Sequence, residues 1–286
     1  MSGLNSISII TPVFNRAKLL NRIREHFKEL DLRGKKVEWV VIDDGSTDEG
    51  VVNLLDFNNS NLSLKKLFQT NAGKHVALNN ALSVVSYDCT LFLDSDDIIT
   101  QELYDNIVNI MDNWSPNIKG YIGYNKSIGG EKIGKLEEGV FRPSKIFSVK
   151  GDYCRLVKTQ HLKKFKFNQF YGETFLTEAS FWIDVHENEL FFSVDKVLVE
   201  VDYQDNGLSA NYKAMCNKNP QGVAYTVKKA LLSNSYSFTC ILKFVTFHIS
   251  TLNKPYSFIY ALKNVHITKK LILLMTTYLY KALKEK

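Results

Sequence analysis

The chain has 286 residues, 45% of them hydrophobic and 23% charged, an ordinary globular mix that excludes low-complexity and disulfide-scaffold classes. Its net charge of +6 is unevenly spread: residues 207–286 hold twelve lysines against Glu285 alone, which is +11 and leaves −5 for the first 206. So basic a tail on a mildly acidic body asks for an anionic partner, either nucleic acid or a membrane surface.

In chain order, "SISIITPVF" is a β-branched run closed by a proline turn, and "AKLLNRIREHFKEL" carries apolar residues at helical spacing. "VEWVVIDD" is a second strand, ended by the turn residues of "DDGSTDEG". "VVNLLDF" reads as a helix, "LSLKKLFQ" as a third strand, "KHVALNNALSVV" as a helix and "CTLFLD" as a fourth strand. Strands alternating with helices predict an α/β fold whose mostly parallel sheet has helices on both faces. After Thr100 comes the helix "QELYDNIVNIMDNW"; "KGYIGYNKSIGG" and "GKLEEGVFRPSKIF" then suit an antiparallel extension. "TEASFWIDVHEN" is helical, "LFFSVDKVLVEVDY" alternates like a strand, and the text is helical again from about Asn206. These shifts divide the chain into a body over residues 1–206 and a basic, apolar helical region over 207–286.

No secretory leader is expected, because the first apolar run has polar residues inside it and no small-residue cleavage site. Cys89, Cys154, Cys216 and Cys240 lack paired spacing, so a reduced, cytoplasmic setting without disulfides or structural metal is expected. The longest apolar stretches are broken by Lys243 or limited to the ten residues of "LILLMTTYLY", short of the roughly twenty needed to span a bilayer. Two readings of the tail stay open: a helix lying in a membrane interface, or one packed on the core with its lysines in water.

Four polar clusters close successive strands: "TPVFNR", "DDGST", "NAGK" and "DSDD". Beyond the carboxyl ends of a parallel sheet is where ligands bind. Asp94, Asp96 and Asp97 would repel one another unless solvated or neutralised. A hard divalent cation, Mg²⁺ or Mn²⁺, suits such carboxylates and leaves places for substrate phosphates. Asp43 and Asp44 offer acceptors to a nucleobase or ribose, Phe14 a stacking face, and Lys74 a charge for phosphate. No G-x-x-x-x-G-K-[ST] loop and no G-x-G-x-x-G follows the first strand, so NTPase and dinucleotide readings have no anchor.

In that order and spacing, "TPVFNR", "VVIDDGSTDEG", "NAGKHVALNNAL" and "FLDSDD" resemble the inverting family 2 glycosyltransferases of GT-A fold, bacterial surface-polysaccharide type, over roughly residues 5 to 210. The resemblance implies a UDP-sugar donor and a divalent cation at the D-x-D motif. It places Thr11, Pro12, Phe14 and Asn15 at the nucleoside, Asp44 with Asp43 at uracil, Asp96 as direct metal ligand, and Asp94 at ribose or a metal-bound water. An arginine usual in the family is missing from "ALN" (Ala77, Leu78, Asn79), so Lys74 is expected to take its phosphate contact. The family's base is an acid at a helix start, which matches Glu178 in "YGETFLTEASFW". Helix-dipole complementation is the alternative role for that glutamate. Glu173, Trp182, Asp205 and Asn206 are the candidate acceptor contacts.

Relatives of this type extend glycans on polyprenyl diphosphates at the inner membrane's cytoplasmic face, where lysines meet anionic headgroups. The expected activity is transfer of glucose or galactose, in β-linkage, to an acceptor such as GlcNAc-diphospho-undecaprenol in O-antigen or surface-polysaccharide synthesis. Capsule, teichoic-acid or protein-glycan transfer and a non-catalytic nucleotide-sugar-binding protein are the alternatives. Nucleic acid is not the expected partner, because the tail is apolar and contains no arginine.

Overall fold

The computed structural model describes residues 3–57, 59–141, 152–204, 211–233 and 241. They fall into two units, the first holding residues up to 141, 152–166 and 189–204, the second holding 167–188, 211–233 and 241. The expected 206/207 boundary sits beside the 204/205 break, but 167–188 belongs with the later residues. Among the described residues no helix is long and apolar enough to cross a membrane.

The first unit is built on one eight-stranded sheet. Strands β1 (Ser6–Val13), β2 (Lys36–Asp43), β3 (Leu62–Phe68) and β4 (Cys89–Phe92) run parallel in the order β3-β2-β1-β4. Helices α1 (Ala17–Glu29) and α2 (Lys74–Val84) follow β1 and β3, and α3 (Gln101–Asp112) follows β4. Ile7, Ile9, Trp39 and Val41 form one core with Leu20, Ile23 and Phe27 of α1 and Leu103 and Ile107 of α3. Phe27 meets Trp39 edge-on at 5.1 Å, an arrangement the ring quadrupoles favour. The alternate residues Ile10, Val40 and Ile42 are just as buried, so the opposite face is covered too. There α2 packs on β1 and β2. Burial on both faces is why β1 and β2 carry apolar residues on both sides and do not alternate apolar with exposed polar residues.

Beyond β4 the sheet is mixed. β5 (Gly120–Ser127), β6 (Gly139–Phe141), β7 (Tyr153–Lys158) and β8 (Phe191–Val201) continue it in the order β4-β7-β5-β8-β6. β7 is antiparallel to β4 and β5, β5 is parallel to β8, and β6 is antiparallel to β8. The expected antiparallel extension therefore includes one parallel pair. β7 was not anticipated, because Arg155 and Lys158 interrupt its apolar residues. The one-turn helix α4 (Thr159–Leu162) then packs on β4 and β7.

"VVNLLDF" is not a helix. Asn53 N–H donates to the Glu49 carbonyl at 3.0 Å, making a single turn that goes no further. Val51 and Leu54 dock in the core while Val52 and Leu55 are exposed, but a single turn gains too little to offset helix nucleation.

In the second unit, α5 (Ala179–His186) packs on α7 (Pro220–Leu232), and α6 (Tyr212–Lys218) leads into α7. The tail from 242 onward lies outside the described residues.

Candidate active site

The strand ends of β1 and β2 are tied together by side chains. Asn15 holds a positive φ of 53°, and its Oδ1 accepts from Thr47 N–H at 2.8 Å while its own N–H donates to Ser46 Oγ at 2.9 Å. Asp43 Oδ1 accepts from Ser46 N–H at 2.7 Å. Gly45 has φ +78°, and a Cβ there would lie 2.7 Å from the Asn71 backbone nitrogen, so only glycine lets the second and third clusters approach. Phe14 stands 48% exposed beside them, an aromatic face open to a ligand.

Asp44 is buried and occupied. Its Oδ1 accepts from Gln69 Nε2 at 2.7 Å and Ala72 N–H at 2.8 Å, and its Oδ2 accepts from Gly73 N–H at 2.9 Å. Asn80 in turn donates to Gln69 Oε1 at 2.6 Å. This carboxylate organises the loop before α2. Thr11 is likewise turned inward, its hydroxyl accepting from Trp39 Nε1 at 2.9 Å, and Pro12 is buried beside it. Pro12 is tolerated inside β1 because the ladder with β4 ends at Ile10. Val13 bonds toward β2, so the missing N–H at Pro12 faces the side where pairing has stopped.

The turn after β4 concentrates negative charge. Burial and the carboxylates of Asp94, Asp96 and Asp152 push Asp97 up to about 9, with Lys74 opposing. Lys74 Nζ contacts both Asp94 oxygens, at 2.6 and 2.8 Å. The family-typical arginine position is occupied by Leu78, which is fully buried and faces the core. Among the described residues no three His, Cys, Asp or Glu side chains converge as a cage for a metal. The carboxylates of Asp94 and Asp96 are of the hard-oxygen type that Mg²⁺ or Mn²⁺ prefers, and Asp97 beside them is made a weaker acid by burial and their charge.

Three sets of contacts around this turn left no trace in the sequence. Arg22 of α1 donates to the Asp96 carbonyl oxygen and, at 2.6 Å, to Asp202 Oδ2 just past β8. Ile98 exchanges backbone bonds with Glu200 of β8, 2.9 and 3.0 Å. Tyr203 donates to Asp152 Oδ2 at 3.2 Å. One arginine among the many charges of α1, or an aspartate between irregular segments, carries no pattern.

Glu178 lies in the second unit, directly before α5, and makes no capping bond to the helix backbone. Trp182 donates from Nε1 to Glu178 Oε2 at 3.0 Å. Trp182 is only 7% exposed, seated edge-on to Phe181 at 5.2 Å and stacked on His186 at 5.8 Å. A sugar-stacking face is therefore not what this indole presents.

Glu173 caps α7. Its Oε1 accepts from Gln221 N–H and its Oε2 from Gly222 N–H, both at 2.8 Å. Gly222 allows this approach, since a Cβ there would meet the Phe175 carbonyl oxygen at 2.9 Å. Asn219 Oδ1 accepts from Thr174 and Phe175 N–H at 2.8 and 3.1 Å, closing the same clip. Asp205 and Asn206 lie outside the described residues.

Comparison with known proteins identifies the family and the fold. The family model described as Glycosyl transferase family 2 matches residues 8–165, more than half of the chain. Glycosyltransferase GlyA of Streptococcus pneumoniae is 24% identical over 235 residues, 82% of this chain and 32% of that protein. The GalNAc(5)-diNAcBac-PP-undecaprenol beta-1,3-glucosyltransferase of Campylobacter jejuni is 24% identical over 197 residues, 65% of this chain and 61% of that protein. The chain thus spans a third to three-fifths of the length of these curated relatives. Residues 1–349 of S. aureus TarS, in complex with UDP-GlcNAc, share the fold at a TM-score of 0.64 and 18% identity, covering 95% of this chain and 79% of that one.

Proposed function

Because the chain belongs to glycosyl transferase family 2, we propose that it is an inverting transferase moving a hexose, glucose or galactose, from a UDP-sugar to a lipid-linked glycan such as GlcNAc-diphospho-undecaprenol. The observation that carries this reading is the acidic turn at the end of β4, where Asp94, Asp96 and Asp97 stand together and Lys74 reaches both Asp94 oxygens. Three carboxylates beside one lysine suit a metal-bound diphosphate. Asp96 and Asp94 would hold Mn²⁺ or Mg²⁺, which when bound would stabilise the departing diphosphate as a Lewis acid.

The chain's own residues divide the remaining work. Phe14 would stack on the base, with Asn15 and Asp43 fixing the loops around it. Lys74 would leave Asp94 for the donor phosphates, drawn by their larger charge. Glu178 would take the proton of the acceptor hydroxyl as that oxygen attacks the anomeric carbon and the bond to the diphosphate breaks, so configuration inverts. An anionic surface at the cytoplasmic face of the inner membrane fits the lysine-rich residues beyond 207.

The test is a donor screen with Mn²⁺, UDP-, GDP- and dTDP-sugars and a synthetic GlcNAc-diphosphate lipid, read by mass spectrometry. Transfer from a UDP-hexose, lost in Glu178→Gln, is the expected result. Full turnover by Glu178→Gln would remove the base assignment, and turnover with only GDP- or dTDP-sugars would remove the donor.

A further inference from the structure

The second unit contains a feature that catalysis by Glu178 does not by itself require. The indole N–H of Trp182, four residues along the chain, points back at the Glu178 carboxylate with a donor-to-acceptor distance of 3.0 Å. Residues i and i+4 share a helix face, and side chains on it lean toward the N-terminus, so the start of α5 delivers this contact with local geometry alone. The donor itself cannot swing away. Phe181 packs edge-on at 5.2 Å, His186 stacks at 5.8 Å with its plane tilted by 22°, and both neighbours are almost wholly buried.

We propose that Trp182 is the positioning residue for Glu178: its fixed N–H selects the carboxylate rotamer and favours the ionised form that accepts a proton. The inference rests on the reading of Glu178 as the base. A hydrogen bond to the charged form of an acid weakens when that acid is neutralised, so the indole holds the carboxylate most firmly in the state needed before transfer. Indole is suited to this because it donates and cannot accept, and so cannot stabilise the protonated acid by receiving its hydrogen. A lysine would donate as well but would bring a charge and a mobile stem.

Other titratable groups surround α5: His186 against Trp182, Tyr212 with Cys216 near Thr177, Glu173 at the start of α7, and the Asp184–Lys229 pair at 2.6 Å. A pH readout must therefore be assigned to Glu178 by substitution. The first experiment needs no substrate. The indole ¹H–¹⁵N resonance of Trp182, identified as the one missing in Trp182→Phe, is followed against pH in the whole protein. It should titrate in the wild type and stay flat in Glu178→Gln. A resonance that does not move with pH in the wild type, or moves equally in Glu178→Gln, overturns the inference.

The second experiment separates positioning from packing. Trp182→Phe keeps a ring between Phe181 and His186 while deleting the donor. UDP release from the UDP-sugar that the wild type hydrolyses should fall about tenfold in kcat with donor KM unchanged. The acid limb of its pH profile should move to higher pH. Where Trp182→Phe fails to fold, 3-benzothienylalanine at position 182 replaces the N–H by sulfur at almost constant shape. An inactive Glu178→Gln beside an unshifted profile in the donor-free variant would overturn the role of Trp182 and leave the base standing. An active Glu178→Gln would overturn both.

Discussion

Replacing Asp44 with alanine tests whether the second acidic position serves the loop or the ligand. Its two oxygens receive Gln69 Nε2, Ala72 N–H and Gly73 N–H at 2.7 to 2.9 Å, and the carboxylate is buried. Removing it strands three donors in a place with little water. An unsatisfied buried donor costs ~1–3 kcal/mol, so three at the low end amount to ~3 kcal/mol. For a chain of this size that lowers the midpoint of thermal unfolding by roughly 6–12 °C. Thermal melts followed by circular dichroism, without nucleotide, read the effect directly. A midpoint within a degree of wild type, accompanied by lost UDP binding in calorimetry, would refute the argument. Asp44 would then be a nucleotide contact and not the loop's organiser.

Glu173→Ala removes both caps from α7 and should cost ~1–2 kcal/mol, visible as a lower melting temperature with acceptor KM unchanged; the opposite pattern would restore Glu173 as an acceptor contact. Lys74→Ala removes the cation that pairs with Asp94, so Mn²⁺ alone should bind roughly tenfold tighter while donor KM rises; weaker Mn²⁺ binding in calorimetry would contradict the electrostatics of the turn. The pH dependence follows from Asp97. The folded protein keeps a proton there up to about 9, whereas the unfolded chain releases it near 4. The unfolded state thus binds fewer protons between those values, and metal-free stability should fall as pH rises from about 4 to about 9, then level. Asp97→Asn should flatten that slope in melts across the range, and an unchanged slope would show that Asp97 is ordinary.

Family, fold and the polar clusters at the strand ends were determined by local sequence. The strands β1, β2 and β4 carry apolar residues on both sides because both faces of the sheet are covered, and each ends in turn residues that must sit at its carboxyl edge. Phe14, Asn15, Asp43, Asp94 and Asp96 could be placed at strand ends for that reason, and Glu178 at the start of α5. Tertiary structure decided which of these side chains are available and which are already engaged. Thr11 meets Trp39 only because β1 lies beside β2, and Asp44 meets Gly73 only because β3 returns the chain next to β2. Glu173 became a helix cap because α7, nearly fifty residues later, docks its first N–H groups on that carboxylate. Arg22 holds the acidic turn across 74 residues of chain, and Trp182 turned from a sugar platform into a donor once its ring was wedged between Phe181 and His186. Such contacts couple residues far apart in sequence or depend on close packing. Hydrogen bonds and packing are satisfied in space, and periodicity along one chain records only which face a residue shows, not the partner it meets there.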